Sequence, residues 1–313
     1  MSLTDLNRIN RKRKNLRRYF ALYLMTLPGL IYLFINNYIP MSGVIIAFKN
    51  INWRKGILGS PFVGLKNFEF LFKTRDALVI TRNTLLYNLA FIVIGILLAV
   101  SVAILLNEIR SKRAKKVYQT LFLLPYLISI VVVSYLVYAF LSVETGFVNK
   151  SIMPVLGKNP VTWYTEPGYW PFILILVHSW KSFGYDSIIY YATLVGIDPS
   201  FYEAATIDGA NRWQQVRYVT LPALKPTIVT LTLLAVGRIF YSDFGLFYQV
   251  PLNSGPLLDV TNTIDTYVYR SLIQLNDYGM SSAASVYQSF VGFLLVVFAN
   301  FTVRKFSEEN ALF

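Results

Sequence analysis

Apolar positions along this 313-residue chain fall in long blocks, not in the alternation of a half-buried strand or the single stripe of a surface helix. Residues 31–35, 90–106, 121–140 and 291–301 carry no charge. Extended by their neighbours, such blocks reach the roughly 20 residues that cross about 30 Å of hydrocarbon. The pattern predicts spans over residues 19–39, 83–106, 118–141, 170–194, 226–250 and 278–303, an all-α membrane protein with six transmembrane helices. Tyr19, Tyr118, Trp170 and Tyr278 stand at span ends, where aromatic rings suit the headgroup layer.

Composition agrees: 55% of residues are apolar and only 14% charged, which is too greasy for a soluble domain of this length. The net charge of +13 does not make a nucleic-acid surface, because aromatic-rich apolar blocks separate the basic runs and leave no continuous basic face. The charge reads instead as topology. With the N-terminus inside, 17 of the 29 basic residues fall in cytoplasmic segments and 10 in outer ones, so both termini are expected in the cytoplasm. The short loop with Arg110, Lys112, Arg113, Lys115 and Lys116 carries most weight; residues 49–82, with seven basic residues on the expected outside, run against it. No cysteine is present, which excludes disulfides, thiolate catalysis and Cys-ligated metal. The basic start lacks a small-residue cleavage site, so the first helix is expected to be retained. Residues 1–80 read as a basic segment, first span and outer loop, 81–304 as a five-helix core and 305–313 as a cytoplasmic tail.

The segment between the fourth and fifth predicted spans, GIDPSFYEAATIDGANRWQQVRYVTLPALKP, is polar and well punctuated. Asp198 can accept an N-terminal backbone N–H, and Pro199 loses nothing at a first helical position. Residues 202–207 then read as a short helix that Gly209 can end at positive φ. A second short helix is expected over 211–219, before Leu221-Pro222 redirects the chain into the next span. Glu203-Ala204-Ala205, three residues, Gly209, nine residues and Val219-Thr220-Leu221-Pro222 resemble the EAA loop of binding-protein-dependent ABC importer permeases, with Val219 in place of the usual isoleucine. Phe62-Val63-Gly64-Leu65-Lys66-Asn67-Phe68, Leu124-Pro125, Asp243-Phe244-Gly245-Leu246-Phe247 and Tyr278-Gly279 are similar to landmarks of the sugar-permease branch. The stretch from Thr263 to Arg270 is similar to the subgroup that handles complex oligosaccharides.

The resemblance implies a non-catalytic permease of the bacterial cytoplasmic membrane. Tyr202, Glu203, Ala204, Ala205, Asp208, Gly209, Leu221 and Pro222 would form the element that couples it to an ATPase, with Glu203 facing basic groups there. The implied partners are a second homologous permease in a heterodimer, two copies of a cytoplasmic ATPase that hold the ATP and Mg, an extracytoplasmic solute-binding protein and an oligosaccharide. This chain itself would bind no cofactor or metal. The nearest approach to a phosphate-binding P-loop, Gly59 to Gly64 followed by Leu65-Lys66, fails in residue type and in sidedness.

Polar groups inside spans are costly and face a cavity or a partner. Lys181 and Asp186 in the fourth predicted span, and Arg238, Tyr241, Asp243, Phe244, Phe247 and Tyr248 in the fifth, offer hydrogen-bonding groups and aromatic faces for a sugar path. The alternative is that Arg238 pairs with an acid such as Asp186 and only holds helices together. His178, the single histidine, has no acid within a helical turn and reads as a packing residue more than a proton relay. An ATP-independent transporter or channel would account for the spans but not for the loop spacing. An intramembrane enzyme would need a nucleophile–base or metal set that is not recognisable here.

Overall fold

A computed structural model of the chain describes residues 19–306. The basic segment 1–18 and the tail 307–313, which carry part of the charge argument, lie outside the described residues. The chain divides into two compact units between Asn67 and Phe68. The longer helices are numbered in chain order, and an isolated bridge between Lys49 and Phe62 is all the β pairing among the described residues.

In the first unit, α1 (Phe20–Leu33) continues through a π-helical turn (Phe34–Tyr38) and a 3₁₀ segment to Phe48, beyond the expected end at residue 39. No side chain of α1 is buried within the chain. The loop that follows is tightly folded. Asn67 Nδ2 donates to the carbonyls of Ala47 and Lys49 at 2.9 Å, and the buried Lys49 ammonium donates to those of Leu58 (2.7 Å) and Ile57 (3.0 Å). One of the seven basic residues expected on the outside is therefore spent inside the fold.

The second unit begins its long helices with α2 (Arg75–Glu108), whose 34 residues span about 51 Å at 1.5 Å per residue. It starts eight residues before the expected span. The extra turns carry Arg75, 3.7 Å from Asp259, and Arg82, whose guanidinium donates to the Asp259 carbonyl at 3.1 Å. Then come α3 (Lys112–Leu127), α4 (Ile130–Leu141) and α5 (Trp170–Val195). The polar loop forms α6 (Pro199–Ile207) and α7 (Arg212–Gln215), and α8 (Leu221–Val236), α9 (Phe244–Gln249), α10 (Ile264–Ile273) and α11 (Tyr278–Phe306) complete the chain. Helix α5 packs chiefly against α2 and α3. One apolar cluster gathers Tyr87, Phe91, Val133, Trp170, Leu174, Leu246 and Phe247; a second gathers Ala99, Val100, Ala103, Tyr190, Leu194 and Leu224. Among the described residues, Phe20–Phe48, Arg75–Glu108, Arg212–Val236 and Tyr278–Lys305 are long and apolar enough to cross a bilayer, and the bent pair α3–α4 adds a fifth. Helix α5 has the length, 26 residues, but its polar complement leaves it less apolar than these.

Three expectations are corrected. The third predicted span is not one rod: it bends by 92° between α3 and α4, where Ile128 N closes α3 on Pro125 O at 3.3 Å and Ser129 N-caps the new helix, accepting from Val132 N at 3.4 Å. The fifth does not run to residue 250. It stops at Val236, turns through Gly237–Phe240, and resumes as α9 with the Asp243 carboxylate accepting from Leu246 N at 3.0 Å. Nor does Leu221-Pro222 redirect the chain. A π-helical turn over Val216–Thr220, closed by Leu221 N to Val216 O, joins α7 to α8 without a break. The same device precedes Pro40 and Pro154, where π turns over Phe34–Tyr38 and Val148–Ile152 end two residues before the ring. Widening the helix there relieves the clash of proline with the preceding turn and keeps neighbouring carbonyls bonded.

Candidate functional site: a braced polar loop and a charged cavity

The polar loop is held by local chemistry. Asp198 Oδ1 accepts from Ser200 N at 2.9 Å, with Pro199 in the first turn of α6, and that hydrogen bond holds the Asp198 carboxyl below its ordinary range. At the other end Gly209 takes φ +80°, Ala210 N donates to Ala205 O at 2.9 Å and Gly209 N to Thr206 O at 3.0 Å, the paired bonds of a Schellman cap. A reciprocal capping box between Asn211 and Gln214 starts α7.

Helix α6 is also tied to the base of the next span. Tyr202 and Thr220 hydroxyls meet at 3.0 Å, and Gln215 Nε2 donates to Thr206 Oγ1 (3.0 Å) and to Ala210 O (3.2 Å). Gln215 and Thr220 are buried. The Tyr202 hydroxyl therefore points into the brace, while Phe201, Glu203, Ala204, Ile207 and Asp208 face outward and Ala205 is half-buried. Ile207 is 86% exposed, an apolar residue offered to the surroundings at the tip of the loop. Arg212 reaches Glu108 at the end of α2, 3.7 Å away, both side chains exposed. Leu221 and Pro222 lie in the continuous helix above the π turn, both exposed. Sequence reasoning missed Thr206, Gln215 and Thr220; polar residues at a span entrance gave no sign of which partner each would find.

A second constellation surrounds a cavity of about 520 Å³ between α2, α5, α8 and the turn before α9. Asp186, Arg238, Tyr241 and Asp243 all line it, together with Asn88, His178, Tyr190 and Ser242. Among the described residues Arg238 makes no ion pair with Asp186 or Asp243. The His178 ring stacks on Phe91, with centroids 3.8 Å apart and planes 12° apart.

Four of the predicted path residues lie elsewhere. Phe247 is buried in the apolar cluster, and Phe244 and Tyr248 stack on each other at 5.0 Å with Tyr269 against both. Their assumed alignment with Arg238 on one helix fails because the chain turns at 237–240. Lys181 is also absent from the cavity lining; its ammonium donates to the carbonyls of Pro125, Tyr126 and Ile128.

The turn that carries the cavity groups is fixed from three other elements. Asn88 Nδ2 donates to the carbonyls of Ile239 (2.8 Å) and Tyr241 (3.1 Å), and Gln288 Nε2 to that of Phe240 (2.6 Å). The Asp265 carboxylate accepts from Ser242 N and Ser242 Oγ, each at 2.7 Å, and from Gln288 Nε2 at 3.1 Å. Nearby, the Arg270 guanidinium donates to Asn253, Asn262 and Thr266 side chains, and burial lowers its pKa from the usual value. The stretch from Thr263 to Arg270 thus acts as scaffold behind the cavity wall.

Several helices long and apolar enough to cross a bilayer, a charged cavity and a polar loop braced to one of those helices are the features of a multi-pass membrane protein. Residues 91–307 match the family described as binding-protein-dependent transport system inner membrane component. The polygalacturonan/rhamnogalacturonan transport system permease protein YteP of Bacillus subtilis is 36% identical over 92% of this chain and 89% of its own length. Protein LplB of the same organism is 34% identical over 94% of this chain and 92% of its own. In the crystal structure of a bacterial ABC transporter involved in the import of the acidic polysaccharide alginate, one chain superposes with a TM-score of 0.86 at 34% identity, covering 95% of this chain and 99% of that one. The chain belongs to the binding-protein-dependent transport system inner membrane components, the permease subunits of ABC importers.

Proposed function

We propose that this permease carries oligosaccharides, delivered by an extracytoplasmic binding protein, across a bacterial cytoplasmic membrane, with ATP hydrolysed on separate subunits. The relatives support the cargo class: one is a polygalacturonan/rhamnogalacturonan permease, and a solved alginate transporter is in complex with an alginate pentasaccharide-bound periplasmic protein. In this reading α5 supplies the sixth span, both termini are cytoplasmic, and a second homologous permease and two copies of an ATPase holding ATP and Mg complete the assembly. The cavity lined by Asp186, Arg238, Tyr241 and Asp243 is this subunit's share of the path, offering charged hydrogen-bond partners to hydroxyls and ring faces to apolar sugar surfaces.

The observation that carries the proposal is the brace of α6 onto the π turn below α8. A lever transmits motion only if it is stiff and has a free face, and α6 has both: its inner side is bonded through Tyr202 and Thr206, and its outer side presents Phe201, Glu203 and Ile207. Glu203→Ala removes an outward carboxylate that can meet basic groups of the ATPase; the loss is roughly 2–5 kcal/mol if that pair is desolvated and much less at a rim. Gly209→Val forces a β-branched residue to φ +80° and re-aims the helix. Both variants should insert normally yet uncouple ATP hydrolysis from uptake in proteoliposomes holding the full complex. Wild-type stimulation and uptake in both would show that the loop is not the coupling element.

A further inference from the structure

The bend between α3 and α4 leaves the carbonyls of Tyr126 and Ile128 without the continuing helix that would bond them, while Pro125 O accepts from Ile128 N at 3.3 Å; inside a bilayer there is no water to turn to. Lys181 of α5 supplies the partner. Its ammonium lies 2.5 Å from Ile128 O, 2.9 Å from Tyr126 O and 3.3 Å from Pro125 O. An ammonium has three N–H donors and no acceptor, so the three carbonyls use all of them and leave none for a sugar hydroxyl. A cation at the negative end of a helix is also the favourable arrangement.

The rest of that turn of α5 grips the same end of α3. Tyr185 stacks on Tyr126 with centroids 4.4 Å apart and planes 10° apart, and the Lys181 ammonium lies 5.7 Å from the Tyr126 ring centre. Gly184 lets the backbone of Phe122 come so close that a Cβ would overlap the Phe122 carbonyl oxygen. Beyond the bend, α4 packs on α9: a Cβ on Gly245 would lie 2.8 Å from Ile130 Cγ2. Helix α9 is the one capped by the cavity residue Asp243. The α4–α9 contact therefore links the direction taken by the chain at Ile128 to the cavity residue Asp243.

We infer that Lys181 is a built-in cation seated in a carbonyl site at the broken third span, a positioning residue that holds the bend for transport and not a ligand of the sugar. The inference rests on the transport reading above for its functional consequence, though not for its geometry.

The absence of cysteine from the chain makes the test direct, because Lys181→Cys introduces a single thiol into this subunit. The complete importer carrying K181C is treated with 2-bromoethylamine, in which the thiolate displaces bromide and leaves an arm of lysine length ending in an ammonium. A parallel sample receives iodoacetamide, which leaves a neutral arm. Wild-type complex treated with each reagent controls for partner thiols. The expected result is at least a tenfold fall in maximal uptake for K181C, recovery to half of wild type or more after aminoethylation, and no recovery with the neutral arm. Equal recovery with both arms, or no fall in K181C, overturns the proposal.

If K181C does not assemble, Lys181→Met and Lys181→Arg decide. Loss of assembly or uptake in K181M that K181R restores supports the proposal. Normal K181M, or a loss that K181R does not restore, overturns it. Should wild-type complex show no ATP-driven uptake, the transport reading itself fails. The same charge-specific recovery is then read from the thermal unfolding midpoint of the purified chain, where its absence overturns the carbonyl-site assignment.

Discussion

Replacing Asp265 by alanine should loosen the cavity wall from a distance. One carboxylate oxygen accepts Ser242 N and Ser242 Oγ at 2.7 Å and Gln288 Nε2 at 3.1 Å, and the residue sits in the first turn of α10, where a negative charge favours the helix. A hydrogen bond to a charged group contributes about 1.5–3 kcal/mol net, but these three share one acceptor and are not additive. The Ser242 hydroxyl also keeps Thr263 Oγ1 at 2.7 Å, and the Gln288 amide keeps Phe240 O. The uncompensated loss is the Ser242 backbone N–H, so about 2–4 kcal/mol is expected in all. For a chain of this size that corresponds to a fall of roughly 3–6 °C in unfolding midpoint. Asp265→Asn, which retains an acceptor oxygen and the shape, should lose less than half as much. The assay is thermal unfolding of the purified complex in nanodiscs, alongside uptake in proteoliposomes. Unchanged midpoint and uptake in the alanine variant would refute the view that this carboxylate holds the turn at 237–243.

Arg238→Ala and Asp243→Ala should each lower uptake while leaving the ATPase bound to the purified permease; failure to insert or assemble would assign that residue to structural pairing instead. Thiol labels placed at Ser111 and at the C-terminus should be unreactive from outside intact cells, and labels at residues 253–259 reactive; the reverse pattern would overturn the orientation and the docking role of the polar loop.

What could be read from the sequence was what is decided locally. Asp198, Pro199 and Gly209 act within a few residues of themselves, through a cap, a first-turn proline and a positive φ, so their types and spacing were enough to place α6. Arg238 and Asp243 line one cavity, but from a turn and a helix cap and not from one continuous helix. Asp243 is a cap signal within the predicted fifth span, but it does not reveal a turn whose hydrogen bonds come from Asn88, Asp265 and Gln288, far along the chain. The bend at Ile128 was hidden for the same reason. Pro125 weakens a helix without fixing where the chain turns next, and the carbonyls at the helix end find Lys181 more than 50 residues away. Lys181 was misplaced because an intramembrane charge is expected to face a cavity, whereas here a backbone site consumes all its donors. Phe244, Phe247 and Tyr248 show the limit of counting along a helix that the protein does not build.

The central claim is that this chain moves oligosaccharide only as one part of an ATP-driven machine. The decisive measurement is uptake of labelled oligosaccharide into proteoliposomes containing this chain, a partner permease and a partner ATPase, with ATP inside and loaded binding protein outside. The account predicts accumulation that needs ATP, the ATPase and the binding protein together, and none from this chain alone. Uptake by the purified chain without ATP or the other subunits would contradict it.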